Sequence, residues 1–261
     1  MSILRRLRHL ISKPTASRFT GDFKSWDEAK AHSTGYDAPE ILEKTRTALL
    51  KVRAGKAAFE RDSAAFDKIE YDFPVLAGLL RAAAHDNRLN VLDFGGSLGG
   101  TYFQCRNYLS AVGNLRWNVV EQPAHVACGM REFANEELHF YETVDDCLRD
   151  QRPNVLLLSG VLQYLPNPYP FLSDLLGRDI PNVIVTRTAF HEPSRDRLTI
   201  QHVPPSLYDA TYPAWFLDET TFLKLFHARY DLTCRYKCDE HVQLQGGRAV
   251  FKGFQFERKN G

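Results

Sequence analysis

Short apolar runs alternate with stretches of helical periodicity through the middle of the chain. Continuous apolar runs predict strands at residues 90–95, 116–122, 138–142, 154–160 and 182–190. Apolar residues that recur every three or four positions predict helices between them, at 99–110, 123–134, 144–149 and 171–177. Strands that alternate with helices in this way are typical of a parallel sheet covered by helices on both faces.

The two ends of the chain show different patterns. Ahead of the alternating region, the pattern predicts helices at 25–32, 39–61 and 73–84. Behind it, a predicted helix at 218–230 precedes two strand-like runs, 231–239 and 248–258, which we expect to pair antiparallel. We therefore predict an α/β domain over 73–261, preceded by a helical extension over 1–72.

The first residues carry a basic amphipathic pattern. Within residues 2–13, isoleucines and leucines recur at helical spacing, and arginines and a lysine occupy the opposite face. This pattern is typical of a short helix that lies on an anionic membrane surface, although a helix packed on the protein's own body or a frayed end has the same pattern. The segment lacks the apolar core and cleavage site of a signal peptide. We expect a cytoplasmic protein with peripheral contact to the inner membrane.

Composition and charge indicate which partners, disulfides and metals this chain is expected to lack. The chain has 261 residues, of which 44% are hydrophobic and 25% charged, as in a globular protein with a substantial core. A net charge of +1 provides no overall field that would attract nucleic acid, so we expect none as a partner. The cysteine count of five is odd, which favours reduced thiols. Cys234 and Cys238 lie in a strand-like run without a second pair, so we expect no metal site.

The stretch VLDFGGSLGG, residues 91–100, follows the first predicted strand with a glycine-rich turn. A triphosphate-binding loop ends in Gly-Lys-Ser or Gly-Lys-Thr, and no lysine occurs here. A dinucleotide turn, G-x-G-x-x-G, fails at Ser97, where glycine would let a pyrophosphate approach. Glu121 follows the second strand, where a carboxylate can accept hydrogen bonds from both hydroxyls of a ribose. A solvated strand end is the alternative for Glu121.

The turn, read as Asp93, Gly95, Ser97 and Gly99, resembles the D-x-G-x-G-x-G motif of class I S-adenosylmethionine (SAM)-dependent methyltransferases, with serine in place of one glycine. The resemblance implies a Rossmann-like fold, a mostly parallel seven-stranded sheet with an antiparallel last strand, and SAM as cofactor. It places Asp93 near the ligand's ammonium, Glu121 at the ribose and Glu142 at the adenine. The candidate cofactor-binding residues are Asp93, Phe94, Gly95, Gly96, Ser97, Gly99, Glu121, Gln122, Glu142, Ser159, Gly160 and Gln163.

The segments that flank this core resemble a more specific family. FTGDFKSWDEA near the start and YPAWF at 212–216 are similar to methyltransferases associated with bacterial surface-polysaccharide gene clusters. This resemblance implies a small-molecule or glycan acceptor, such as a sugar or glycolipid precursor. We expect His191, which follows the fifth strand, to act as general base. Tyr36, Arg61 and Asp62 of the N-terminal extension are expected to close over the acceptor. For His191 the alternative is a residue that caps a strand or faces water.

Two other functions remain open from the sequence alone. A nicotinamide-dependent oxidoreductase or epimerase would bind NAD(P), and Asp93 and Ser97 argue against it. A non-catalytic protein that only binds SAM would share the fold and show no turnover.

Overall fold

The computed structural model describes residues 18–35, 39–204, 209–244 and 247–259. Its N-terminal part alternates short strands with helices. In chain order the elements are β1 (Phe19–Phe23), α1 (Trp26–Ala31), α2 (Pro39–Arg53), β2 (Phe59–Arg61), β3 (Ala64–Phe66) and α3 (Phe73–Asp86). The predicted basic helix at 2–13 and Tyr36 lie outside the described residues.

The central part alternates strands and helices regularly. Its elements are β4 (Leu89–Phe94), α4 (Gly100–Cys105), β5 (Leu115–Val120), α5 (Pro123–Glu132), β6 (Leu138–Tyr141), α6 (Val144–Asp150), β7 (Val155–Ser159), a 3₁₀ turn (Leu162–Tyr164), α7 (Pro168–Leu176) and β8 (Asn182–His191). The chain then continues with β9 (Arg197–His202), β10 (Thr211–Phe216), α8 (Glu219–Lys224), β11 (Tyr230–Leu244) and β12 (Gly247–Arg258).

Seven of the described strands form one sheet, in the order β11-β12-β8-β7-β4-β5-β6. Five strands, β4 to β8, are parallel to one another. Strand β12 pairs antiparallel with both β8 and β11. This is the predicted topology, a mostly parallel seven-stranded sheet that ends in an antiparallel strand pair, and the prediction of the fold is confirmed.

Hydrophobic clusters cover both faces of this sheet. On one face, α3 and α5 pack with Trp117, Val91 and Leu157, which are fully buried. On the other face, α7 and α8 pack with Leu156 and Leu158. Alternate residues of β7 therefore serve opposite clusters, which explains why its run is continuously apolar. Burying each large aliphatic side chain contributes about 1.5–3 kcal/mol.

A second sheet of three antiparallel strands, in the order β1-β9-β10, packs beyond β8. It takes its first strand from the N-terminal extension, since Phe19 pairs with Gln201 of β9. Sequence analysis predicted no strand in these three segments. A separate hairpin, β2–β3, also lies in the extension, so that part contains strands as well as the predicted helices. Among the described residues, no helix combines the length and the apolar composition needed to cross a bilayer.

Three predicted helices end well before their predicted last residue, and the one predicted at 99–110 spans only Gly100–Cys105. The helix predicted to reach residue 61 ends at Arg53 because Gly55, with φ of 69°, adopts the left-handed conformation typical of a helix terminus. The helix predicted at 218–230 spans only Glu219–Lys224. Its N-terminus is capped by Asp218, whose Oδ1 accepts a hydrogen bond from the Thr221 amide at 2.7 Å.

Candidate functional site

The chain turns tightly between the end of β4 and the start of α4. This turn lies at the carboxyl ends of the parallel strands, where the strand order in the sheet reverses. Strands β5 and β6 lie on one side of β4, and β7 and β8 lie on the other. Crevices at such reversals, beyond the carboxyl ends of the strands, are where open α/β sheets bind ligands.

The backbone of this turn keeps the shape that glycine favours even where the sequence has serine. Gly95 and Gly99 have φ values of 73° and 88°, and Ser97 has φ of 54°. Glycine adopts these conformations without steric cost, whereas serine adopts them less readily. Ser97 therefore adopts a left-handed backbone conformation that glycine would adopt at lower steric cost.

Two glycines of the turn also allow close packing. An ideal Cβ on Gly95 would lie 2.5 Å from Cγ2 of Val161, and one on Gly96 would lie 2.5 Å from Oδ2 of Asp93. Both distances are shorter than any normal contact, so glycine is needed at both positions. The turn therefore packs between the Asp93 carboxylate at the end of β4 and Val161, which follows β7.

Asp93, at the end of β4, is a fully buried carboxyl with an incomplete set of hydrogen bonds. Its side chain is 1% exposed. Oδ2 accepts a hydrogen bond from Nε1 of Trp117 at 2.9 Å, and Oδ1 has no partner among the described residues. Burial raises the pKa of Asp93 to about 7, against the lowering effect of the Trp117 bond, and the charge of Glu121 raises it further. A ligand that brings positive charge or a hydrogen-bond donor would stabilise this group.

The acidic candidates on the next two strands lie at the same edge of the sheet. Glu121 follows β5 directly, is partly exposed, and its Oε2 accepts a hydrogen bond from the Gln122 amide at 2.7 Å. Gln122 is exposed and caps α5. Glu142 follows β6 and is also exposed. The Glu121 amide donates to Tyr141 O at 3.0 Å, so the ends of β5 and β6 are in register.

The other side of the crevice is formed by the segment after β7. Ser159 and Gly160 are partly exposed, and Gly160 has φ of 64°. Gln163 is 3% exposed, and its Nε2 donates to the carbonyl of Arg187 at 3.2 Å. Its Oε1 is buried without a partner in the described part of the chain. Phe94, half-buried, packs its ring 4.5 Å from that of Phe171.

The hairpin β2–β3 lies against the glycine turn and brings in a carboxyl that sequence analysis missed. Glu60 is 7% exposed, and its Oε2 lies 2.6 Å from the position that a Cβ on Gly100 would occupy. Burial raises the pKa of Glu60 to about 7, and the hydrogen bond from the Ser63 amide opposes that rise. The signal was faint, since Glu60 is one of several charged residues in the stretch FERDS.

An ion pair joins the tip of this hairpin to β8. Asp62 accepts a hydrogen bond from Nη2 of Arg187 at 2.7 Å. Arg187 has φ of 50°, an unusual conformation for an arginine, and its Cβ lies 3.7 Å from the position of an ideal Cβ on Gly160. Backbone strain of this kind is concentrated at functional sites. The hairpin therefore extends from the glycine turn to the segment after β7.

His191, the predicted general base, lies apart from these groups. Ser159 pairs with Thr186 of β8, so His191 is five residues further along that strand, a span of at most about 16 Å for an extended chain. It is 5% exposed, with Nδ1 3.2 Å from Arg195 O, and its Nε2 has no partner among the described residues. Burial lowers the pKa of His191. Its catalytic role stays a prediction.

The aromatic residues of YPAWF belong to β10. Phe216 is fully buried and makes an edge-to-face contact with Phe19, with ring centroids 5.0 Å apart. Trp215 donates from Nε1 to Leu165 O at 3.2 Å. Cys234 and Cys238 lie on β11, and among the described residues no three His, Cys, Asp or Glu side chains are arranged to hold a metal ion.

Together these positions place acidic side chains around the glycine turn, at the carboxyl ends of the parallel strands. Three carboxyls, of Asp93, Glu121 and Glu60, lie around a turn whose helix α4 begins at Gly100. A helix N-terminus commonly binds phosphate, but here the Glu60 carboxylate lies against it. The crevice is therefore suited to a ligand with hydroxyls and positive charge, and it would repel a pyrophosphate.

No family model matches the sequence, and no curated protein is significantly similar to it. Solved structures are similar at low identity. The N-terminal domain of EvdMO1, in the presence of SAH and D-fucose, is 12% identical, with 85% of this chain and 100% of that chain covered and a TM-score of 0.49. The glycopeptide N-methyltransferase MtfA complexed with (S)-adenosyl-L-methionine is 11% identical, with coverage of 70% and 88% and a TM-score of 0.46. A Burkholderia thailandensis 1,6-didemethyltoxoflavin-N1-methyltransferase, with bound 1,6-didemethyltoxoflavin and S-adenosylhomocysteine, is 16% identical, with coverage of 87% and 95% and a TM-score of 0.42.

Proposed function

We propose that the chain is a SAM-dependent methyltransferase that binds its methyl donor in the crevice over the glycine turn. The observation that carries the proposal is the buried Asp93 carboxylate, which lies directly beneath Gly96 with one oxygen unpartnered. SAM carries an ammonium and a sulfonium but no phosphate, so it fits an acidic crevice that a dinucleotide does not. The topology and the D-x-G-x-S-x-G turn support the same class.

Within this site each group has a separate proposed task. Asp93 meets the positively charged amino-acid end of the donor, Glu121 accepts hydrogen bonds from the ribose hydroxyls, and Glu142 lies towards the adenine. Gly95, Gly96, Ser97 and Gly99 let the backbone approach the ligand. On the far side, Ser159, Gly160 and Gln163 border the methyl group, where the unpartnered Oε1 of Gln163 can accept a hydrogen bond.

The reaction is an in-line displacement. A lone pair of the acceptor atom forms a bond to the methyl carbon while the carbon–sulfur bond breaks, and its electrons neutralise the sulfonium. The acceptor's proton passes to a base. Because the methyl group is already activated, the protein contributes chiefly by alignment, which can lower the barrier by about 7–11 kcal/mol.

We propose a sugar, glycan or glycolipid precursor of surface-polysaccharide biosynthesis as the acceptor. The support is the likeness of FTGDFKSWDEA and YPAWF to that family of methyltransferases. A screen of sugar acceptors for SAM-dependent methylation tests this proposal. Methylation confined to non-carbohydrate acceptors would refute the acceptor class and leave the donor unaffected.

His191 and Tyr36 are the proposed catalytic groups on the acceptor side. The contact of His191 Nδ1 with the carbonyl of Arg195 favours the neutral tautomer that leaves Nε2 free to accept a proton. Once an acceptor is known, His191→Asn should lower kcat about 100-fold without changing donor affinity. An unchanged kcat would exclude His191 as the base.

We also propose that the protein is cytoplasmic and that residues 2–13 attach it to the inner face of the membrane. The support is the basic amphipathic pattern of that segment. Sedimentation with anionic vesicles should retain the full chain and lose a variant that lacks residues 2–13. Equal sedimentation of both would refute the attachment.

The donor proposal is tested by calorimetric titration with SAM, S-adenosylhomocysteine (SAH) and NAD in parallel. Both sulfur nucleosides should bind in the micromolar range and NAD should not. Asp93→Ala and Glu121→Ala should each weaken SAH binding about tenfold or more, because each removes a charged hydrogen-bond partner worth about 1.5–3 kcal/mol. Glu136→Ala, at an exposed glutamate before β6, is the control.

Three outcomes separate the alternatives. Binding of NAD instead of SAM would favour an oxidoreductase or epimerase. Binding of SAM without turnover on any acceptor would favour a non-catalytic SAM-binding protein. Unchanged SAH affinity in both the Asp93 and Glu121 variants would refute the assigned site.

A further inference from the structure

We infer that Glu60, on the β2–β3 hairpin, is a second donor-binding carboxylate and that it contacts the ammonium of the ligand's amino-acid end. This inference rests on the proposed function, because it assigns a role within the same crevice. It makes the N-terminal hairpin a part of the donor site.

The first argument is the place of the carboxylate. Oε2 of Glu60 lies so close to Gly100 that any side chain there would overlap it, at 2.6 Å. The glycine turn therefore has carboxylates on two sides, with Asp93 against Gly96 and Glu60 against Gly100. Two of the turn's four glycines make room for these two acids.

The second argument is that Glu60 lacks a cation of its own. Within the described part of the chain it forms no ion pair, and its Oε1 accepts only the Ser63 amide, at 2.8 Å. Arg61 instead lies over the rings of Phe59 and Phe66, 5.7 Å from each centroid. Arg187 is engaged by Asp62 at 2.7 Å. Both nearby arginines therefore contact other groups, and they act on Glu60 only through the attraction of their charges, which lowers its pKa less than burial raises it.

A buried carboxylate without a cation is unfavourable, and an arriving ammonium would relieve it. The Asp93 carboxyl supplies an independent indication that a ligand enters here, since it is 1% exposed and its Oδ1 is unpartnered. Of the donor's parts, the adenosine offers no positive charge at neutral pH, and the sulfonium of SAM is a cation that has no proton to donate in a hydrogen bond. The amino-acid end offers an ammonium, and the hairpin places Glu60 where the turn meets α4.

The hairpin is built to hold Glu60 in this position. The Phe59 and Phe66 rings stack with centroids 4.6 Å apart, and Phe59 is fully buried. At the tip, Asp62 and Ser63 have φ of 53° and 66°, which closes the turn so that the Ser63 amide points back to Glu60. Thr45 of α2 holds Ser63 through a hydroxyl contact of 2.8 Å.

The experiment compares two ligands by calorimetry. SAH retains the amino-acid end, and 5′-methylthioadenosine lacks it. Glu60→Gln should weaken SAH binding about tenfold or more and change 5′-methylthioadenosine binding less than about twofold, because only SAH carries the ammonium. Glu70→Gln, the same substitution at an exposed glutamate just beyond the hairpin, should change neither.

The variant keeps the shape of the side chain, and its amide oxygen can still accept the Ser63 hydrogen bond, so thermal unfolding should confirm that it folds. Equal weakening of both ligands, or of neither, would overturn the inference. Tighter SAH binding would also overturn it, because that sign indicates a neighbouring carboxylate of the ligand. Failure of the unmodified protein to bind SAH at all would instead refute the proposed function.

Discussion

At the scale of single residues, the site depends on carboxyls that are buried without full compensation. Asp93 and Glu60 each have a pKa raised to about 7, chiefly by burial. A carboxyl whose pKa is higher in the folded protein than in the unfolded chain stabilises the fold when protonated. Its contribution is complete below the unfolded pKa and is lost as the pH rises through about 7.

The stability that Asp93 and Glu60 contribute to the ligand-free protein should therefore fall between about pH 4 and pH 7. Asp93→Asn should reduce this loss, because asparagine does not ionise and its Oδ1 can still accept the Trp117 hydrogen bond. Melting temperatures of both proteins across this range provide the measurement, and titrations common to both cancel in the comparison. Parallel curves would show that Asp93 does not titrate in this way.

Gly100 provides a second prediction at this scale. Gly100→Ala should destabilise the protein by about 1 kcal/mol, because the new Cβ would displace Oε2 of Glu60, the end of a flexible but buried side chain. Gly113→Ala is the control, since a Cβ there meets nothing within 4 Å, and it should change stability by less than about 0.5 kcal/mol.

Denaturant unfolding measures both variants. Glu60→Ala added to Gly100→Ala should recover part of the loss, because it removes the atom that the methyl group meets. If Gly100→Ala is as stable as the control, the hairpin does not lie as close to the turn as described.

At the scale of elements, the β2–β3 hairpin is anchored by one side chain more than by its few hydrogen bonds. Phe59→Ala should destabilise the protein by about 3–5 kcal/mol, because Phe59 is fully buried and its ring stacks on that of Phe66. Phe73→Ala should cost less than about 1 kcal/mol, since Phe73 is 60% exposed.

Donor binding should depend on the packing of the β2–β3 hairpin, because the hairpin carries Glu60. Phe59→Leu keeps most of the volume, should lose less than about 1.5 kcal/mol, and should still bind SAH. A Phe59→Ala protein that is as stable as the Phe73→Ala control would contradict the described packing.

The regular elements of the main sheet could be predicted from the sequence, and the short strands could not. The runs at 90–95 and 154–160 are apolar enough to identify strands that are buried on both faces, and VLDFGGSLGG located the ligand edge. The strands of the second sheet carry mixed signals. Pro213 lies within β10, where it is tolerated because β10 is an edge strand, and Gly21 interrupts β1 with φ of 86°.

The hairpin that carries Glu60 was missed for a similar reason. Strands β2 and β3 have three residues each, and their turn uses Asp62 and Ser63 at positive φ, where Asn-Gly is the usual signal. Local sequence therefore gives no sign of a hairpin, and the position of Glu60 depends on packing against α4, which begins at Gly100 and is distant in sequence. Contacts between distant segments are not visible as periodicity.

At the scale of the whole molecule, the N-terminal strand β1 pairs and packs with segments of the C-terminal half. Phe19 pairs with Gln201 and packs on Phe216, and Asp22 accepts a hydrogen bond from Nη2 of Arg195 at 2.6 Å. Arg197 donates to Gly21 O at 2.9 Å. The division into an extension over 1–72 and a domain over 73–261, which stays a prediction, is therefore crossed by strand pairing.

Removing this strand should test how far the two parts depend on each other. Deletion of residues 1–35 should lower the melting temperature by at least about 6 °C, because loss of Phe19 from the core costs about 3–5 kcal/mol and each kcal/mol shifts Tm by about 2–4 °C. It should also promote self-association, since β9 would gain an unpaired edge. Deletion of residues 1–17 is the control and should leave Tm within about 2 °C, because β1 and its partners remain. Calorimetry with light scattering measures both effects. A deletion of 1–35 that melts like the control and stays monodisperse would mean that β1 adds little to the fold, and that the second sheet is held by β9, β10 and their packing on β8.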